Sequence, residues 1–235
     1  YTFRDARRIA GAAQRTPIVD GSGLKNTLER KVISYLQDEM GMQFTDKKVL
    51  MVCAVDRFGM AESLTTAGAA MTFGDLIFAL GIPVSLSSLK ALETLARIIA
   101  PVVVQLPFKM LYPTGEKQDK QKPKYNKYYE EADIIAGDFH FIRRYMPDKL
   151  HGKQIITNTV TALDIDLLKR RGVRTLITTT PELNGRSFGT NVMEAVVIAL
   201  SGRRPDDMLP QDYAELLDKM EFKPRIVHFS EEQAS

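Results

Sequence analysis

Two patterns of apolar residues alternate along the chain. Short, nearly continuous apolar runs at residues 47–55, 71–73, 102–106, 133–138, 153–159, 173–180 and 225–229 predict strands. Runs with no polar interruption, such as Val49-Leu50-Met51-Val52-Cys53-Ala54-Val55, suit strands buried on both faces of a parallel sheet. Between them the apolar positions fall at three- and four-residue spacing. Leu24, Leu28, Val32 and Leu36 form such a stripe on a helix running to about residue 37, entered from Ile18-Val19 through Asp20-Gly21-Ser22-Gly23. Further helices are predicted over residues 60–67, 75–80, 88–99, 127–132, 139–146, 162–171, 190–201 and 211–220. Strand–helix alternation of this kind predicts an α/β fold: a doubly wound, mostly parallel sheet with helices on both faces, Rossmann-like. Residues 1–202 read as the α/β domain, and residues 203–235 as a helix and short strand packing on it. The chain opens on Tyr1 rather than methionine, so a natural N-terminal segment is expected to lie outside it.

In such folds ligands bind beyond the carboxyl ends of the strands, near a switch in strand order. Three strand-to-helix corners qualify: Asp20-Gly21-Ser22-Gly23, Asp56-Arg57-Phe58-Gly59, and the longer run at residues 178–189. Backbone N–H groups at a helix start suit a phosphate or carboxylate, and Arg57 or Arg186 can add a charged contact. No G-x-G-x-x-G and no Walker A pattern occurs, so no corner carries a specific nucleotide fingerprint. The third corner is the longest and most polar. Gly185, Arg186, Ser187, Gly189 and Thr190 are its candidate cofactor- or anion-binding residues, with Arg186, Ser187 and Thr190 expected to face the ligand.

Other strand-end residues carry candidate chemistry. Asp138 and His140 could move a proton, or Asp138 could cap the following helix. Asp75 could hold ribose hydroxyls or act as a cap. Asp56, Arg57 and Lys117 are candidate substrate contacts. Gly185-Arg186-Ser187-Phe188-Gly189 spells G-x-S-x-G, but it is not preceded directly by a strand, so a serine hydrolase is only a third reading. No spacing of His and Cys makes a metal site.

Composition narrows the field. Hydrophobic residues make up 44% and charged residues 26%, which is ordinary for a globular domain that needs no metal or disulfide to hold a core. The single Cys53 lies inside an apolar run, reads as a buried small hydrophobe, and fits a reducing cytoplasm. No apolar stretch is long enough to span a membrane. A net charge of +3 is too small to argue nucleic-acid binding. Charge is uneven, however: between Lys109 and Lys127 six lysines face only Glu116 and Asp119 in a Pro- and Gly-broken loop. That loop reads either as a solvated insertion or as a lid that attracts an anion.

Several segments resemble a bacterial family labelled quinate 5-dehydrogenase. They are Thr16-Pro17-Ile18-Val19-Asp20-Gly21, Ala54-Val55-Asp56-Arg57-Phe58-Gly59-Met60-Ala61-Glu62, Tyr112-Pro113-Thr114-Gly115-Glu116-Lys117-Gln118, Gly137-Asp138-Phe139-His140, and Gly185-Arg186-Ser187-Phe188-Gly189-Thr190-Asn191. The resemblance implies oxidation of a cyclic polyol acid such as quinate, or its relative shikimate, with NAD or NADP. The leading expectation is thus an NAD(P)-linked oxidoreductase. A non-catalytic binder of an anionic metabolite or nucleotide is the alternative. The expected partner is a small anionic metabolite, without nucleic acid or membrane, and a homodimer is one option.

Overall fold

The computed structural model describes residues 12–13, 16–103, 105, 124–183 and 186–229. Its strands are β1 (Lys48–Met51), β2 (Ala70–Phe73), β3 (Ile134–Ala136), β4 (Gln154–Thr157), β5 (Thr175–Thr178), β6 (Glu182–Leu183), β7 (Arg186–Ser187) and β8 (Arg225–His228). Six of them form one sheet in the order β2-β1-β3-β4-β5-β8. The first five run parallel, and β8 closes the edge antiparallel to β5. The protein is therefore α/β with a mostly parallel sheet, as the alternating pattern predicts. The tail's strand belongs to the same sheet as the rest of the chain.

The helices are α1 (Ser22–Asp38), α2 (Phe58–Thr66), α3 (Leu89–Val103), α4 (Asn126–Glu131), α5 (Phe139–Tyr145), α6 (Ala162–Arg170), α7 (Thr190–Ser201) and α8 (Pro210–Lys219). Successive strand residues point to opposite faces, so each uninterrupted apolar run feeds two cores. Leu50, Ile135, Ile155 and Leu176 pack with Tyr129 of α4, Phe139 and Ile142 of α5 and Leu168 of α6. Val49, Met51, Ile134, Ile156 and Ile177 pack on the other face with Val32, Ile33 and Leu36 of α1 and Met60 and Leu64 of α2. The start of α1 turns to a third cluster, where Leu24 and Leu28 meet Met193 and Val197 of α7 and Tyr213 and Leu217 of α8. Each fully buried Leu, Ile or Val contributes about 1.5–3 kcal/mol, so the helices are held mainly by these contacts.

Three local readings change. Pro101, Val102 and Val103 form the last turn of α3 rather than opening a strand. Proline inside a helix forfeits one backbone bond and disfavours its continuation, and α3 ends two residues after Pro101. Residues 104 and 106 of that run lie outside the described set. Residues 17–20 carry no regular structure. Asp75–Ala79 is a π-helical turn rather than an α-helix.

Parallel order 2-1-3-4-5 fixes the position of the site. The chain leaves β1 for β2 on one side, and β3 returns on the other, so strand order switches between β1 and β3. Their carboxyl ends open at Val52–Arg57 and at Gly137–Asp138.

Candidate functional site

Arg57 sits at the centre of the switch point. It ends the single 3₁₀ turn Val55–Arg57 that follows β1, and it is 4% exposed. Its Nη1 donates to Glu29 Oε1 at 3.0 Å, and its Nη2 donates to Asp138 Oδ2 at 3.0 Å. Its Nε has no hydrogen-bond partner among the described residues, and Asp56 Oδ2 lies 3.7 Å away. Burial disfavours the charge, but Glu29, Asp138 and Asp56 together raise the guanidinium pKa. Arg57 therefore ties α1, the β1 exit and the β3 exit together. It is not a free carboxylate clamp, because two buried acids already match it.

The two acids differ in character. Glu29 is 1% exposed, and its carboxylate also accepts the Met60 amide at 3.1 Å. Burial pushes its pKa up, only partly opposed by Arg57. Asp138 is better solvated by donors: Oδ1 accepts the His140 amide at 2.9 Å, and Oδ2 also accepts Asn158 Nδ2 at 2.8 Å. Burial works against its ionisation, yet Arg57, His140 and these hydrogen bonds hold its carboxyl below the usual range. Asp138 is the N-cap of α5 and is kept ionised, which suits a fixed charge better than a proton carrier. The His140 side chain is exposed, and among the described residues it makes no hydrogen bond through its ring.

Neighbouring strand exits complete the edge. After β4, Asn158 Oδ1 accepts the Phe139 amide at 3.1 Å, so Asn158 bridges Asp138 and the start of α5. Thr159 Oγ1 donates to Phe188 O at 3.2 Å, and Thr180 Oγ1 donates to Asn158 O at 3.3 Å. Lys25 of α1 donates to the Asp56 carboxylate at 2.9 Å and to its carbonyl at 3.2 Å. Asp56 is thus partly exposed but paired.

Asp75 does not take the capping role: its carboxylate makes no cap for its own turn. Instead Oδ1 accepts the Ala54 and Val55 amides, both at 2.9 Å, and Oδ2 accepts Ala54 at 3.1 Å. Cys53, beside it, is buried, and burial first and Asp75 second push its thiol pKa well up. An inert buried thiol is the consequence.

The third corner is a two-stranded hairpin, β6 with β7, paired Glu182 to Ser187 and Leu183 to Arg186. Ser187 is buried, its amide donates to Val160 O, and its hydroxyl accepts the Val160 amide at 3.5 Å. It lies on a hairpin strand, not on the sharp strand-to-helix turn that a nucleophile needs. Gly189 is the N-cap of α7 in extended conformation, and no side chain caps this helix. The Thr190, Asn191 and Val192 amides have no hydrogen-bond acceptor among the described residues. α5 and α6, by contrast, are capped by Asp138 and Thr161. Lys117 and Gly185 lie outside the described residues, as does the side chain of Arg186, whose backbone is in β7.

The glycines of the first corner serve packing. Gly21 has φ +90°, and a Cβ there would lie 2.9 Å from Asn191 N. Its amide donates to Glu194 Oε2 at 2.6 Å, and Glu194 Oε1 accepts the Tyr213 hydroxyl at 3.1 Å. A Cβ on Gly23 would strike Glu194 and Tyr213. The first corner is therefore pressed against the first turns of α7. All three corners meet along one sheet edge, through Gly21 with Asn191, Lys25 with Asp56, and Arg57 with Asp138.

Residue patterns alone left out Glu29, Lys25, Asn158 and Thr159. Glu29 had a readable signal: it lies in phase with Val32, Ile33 and Leu36 on the apolar stripe of α1, where an unpaired acid would be expensive. Asn158 and Thr159 follow a strand, but only the sheet order shows what they face. A hollow of about 350 Å³ opens on another surface, between α1 and α8, but its Lys31 and Asp218 pair with each other and it lacks a comparable cluster. Among the described residues, no three His, Cys, Asp or Glu side chains gather as a metal site. Among the same residues, no helix is long and apolar enough to cross a membrane.

Residues 23–229 match the model of a domain of unknown function, DUF8754, and the chain belongs to that family. No curated protein matches it. Two solved structures are similar in part. One is a galactofuranose binding protein at 14% identity and TM-score 0.33, covering 84% of this chain and 63% of the other. The second is a protein from Mycobacterium smegmatis at 10% identity and TM-score 0.31, covering 85% and 62%. The chain thus spans less than two thirds of the length of either.

Proposed function

We propose that this member of a domain family of unknown function binds a small anionic metabolite at the β1/β3 switch point. The ligand's anionic end lies on the first turn of α7, and its other end reaches toward His140. One observation carries this reading: the strand exits are locked to one another through buried Arg57, while the adjoining α7 start keeps its amides uncapped. A buried ion cluster is costly, and an apolar core of similar shape is often at least as stable, so such a cluster at a switch point fits preorganisation of a site. The α7 amides meet a carboxylate or phosphate with the positive end of the helix dipole.

A second reading adds chemistry to the same site: NAD(P)-linked oxidation of a carboxylated substrate such as quinate or shikimate. The observation in its favour is that the described segments resembling that family, around Gly21, Asp56, Asp138 and Thr190, meet along one edge. In this reading exposed His140 moves the proton and α7 meets cofactor phosphate. A cytoplasmic location belongs to either reading, supported by the single, buried Cys53.

Calorimetric titration with NAD(H), NADP(H), quinate and shikimate tests both readings. Saturable binding of quinate or shikimate with or without cofactor supports the first, and turnover supports the second. No binding of either cofactor at millimolar concentration defeats the dehydrogenase reading. Thr190→Pro is the matched variant. Thr190 is the first helical residue after an extended Gly189, so proline is tolerated there and removes only one N–H. Affinity should fall about tenfold or more, the loss of a hydrogen bond to a charged group, with the fold intact.

A further inference from the structure

We infer that Asp75 sets the ligand class of this edge: its carboxylate fills, from inside the chain, the anion position at the exit of β1, so that phosphate is excluded there and directed to α7. The inference rests on the reading of the edge as a binding site. In nucleotide-binding α/β folds, the backbone amides of the first strand-to-helix loop approach the phosphates. Here the corresponding amides are those of Ala54 and Val55, and both donate to Asp75. Three donor–acceptor distances of 2.9–3.1 Å to the two oxygens of one carboxylate reproduce the contacts an external anion would make.

Several features make this an arrangement rather than an incidental contact. Asp75 is the first residue of the turn that follows β2 and Gly74, where an acid favours a helix start, yet its carboxylate gives that turn no cap and bonds to the β1 exit instead. The segment it opens is a π-helical turn, an uncommon conformation that recurs at functional sites. Gly74, before it, is held by its amide to Met51 O at 2.8 Å, which sets the acid against the β1 exit. Asp75 is 4% exposed, so an incoming phosphate must displace a buried carboxylate to reach these amides. The same contacts fix the loop that presents Asp56 and Arg57. A dinucleotide laid over β1 is therefore ruled out by Asp75, and a ligand whose single anionic end sits on α7 is selected.

Amide NMR spectra of the wild type and Asp75→Ala, recorded with sodium formate, inorganic pyrophosphate and chloride at matched ionic strength, test this. In the wild type, the Ala54 and Val55 amides should not respond to either anion. In Asp75→Ala, formate should shift both amides and raise the melting temperature above that in chloride, replacing the missing carboxylate. Pyrophosphate should bind at those amides at least tenfold more tightly than in the wild type. If the variant unfolds in chloride, formate should refold it. A pyrophosphate response of Ala54 and Val55 in the wild type overturns the inference, as does a variant that formate neither shifts nor rescues. If pyrophosphate and quinate leave Thr190, Asn191 and Val192 unmoved in both proteins, the binding proposal fails by itself, whatever Ala54 and Val55 show.

Discussion

At the scale of single residues, the site is built on buried charge. Arg57 is held between Glu29 and Asp138 with no water-facing alternative. Arg57→Ala leaves two buried acids facing each other and should cost about 3–5 kcal/mol, measured by urea unfolding. Arg57→Lys should recover little of this, because one ammonium cannot reproduce the fork that meets two carboxylates. Asp138 makes a pH prediction. Its folded-state pKa lies below its ordinary value, so its contribution to stability is complete above about pH 4. That contribution is lost as pH falls through the depressed folded value. Asp138→Asn should lower stability at neutral pH and flatten the acid limb of a stability–pH profile. An unchanged acid limb would show that another carboxylate sets it. Arg57 and Asp138 were legible as polar residues at strand exits. Their mutual pairing was not, because they are separated by 81 positions and only the β1–β3 neighbourhood joins them. Asp75 was legible as a strand-end acid, but its turn onto the amides of the loop after β1 depends on the β1–β2 neighbourhood.

At the scale of elements, periodicity located the sheet strands and most of the helices, since burial on two faces writes itself into apolar runs. It failed where local propensity and context disagree. Val102 and Val103 are β-branched yet end α3. The β6–β7 hairpin escaped although Asn184-Gly185 between its strands is the strongest short hairpin signal. The polar corner drew attention to ligands, whereas its strand pairing buries Ser187. The first corner likewise invited a phosphate, but its glycines answer to α7. Gly21→Ala should cost about 1–3 kcal/mol from the positive φ, and more if Asn191 cannot yield. The measurement is thermal unfolding, with a loss of the α1–α7 contact readable in the Gly21 and Asn191 amides. A neutral Gly21→Ala would show that this corner is looser than the close approach implies.

At the scale of the molecule, the order 2-1-3-4-5 with β8 antiparallel gathers segments from residue 21 to residue 191 onto one edge. The α/β class was readable from alternation. The position of the switch point was not, because strand order is a long-range property that strand sequence does not record. The most direct test of the central claim is the amide NMR spectrum of the wild-type protein titrated with quinate to millimolar concentration. The account predicts saturable shifts at Thr190, Asn191, Val192 and His140, with Ala54 and Val55 unmoved. Shifts confined to other surfaces, or none at the α7 start, would contradict it.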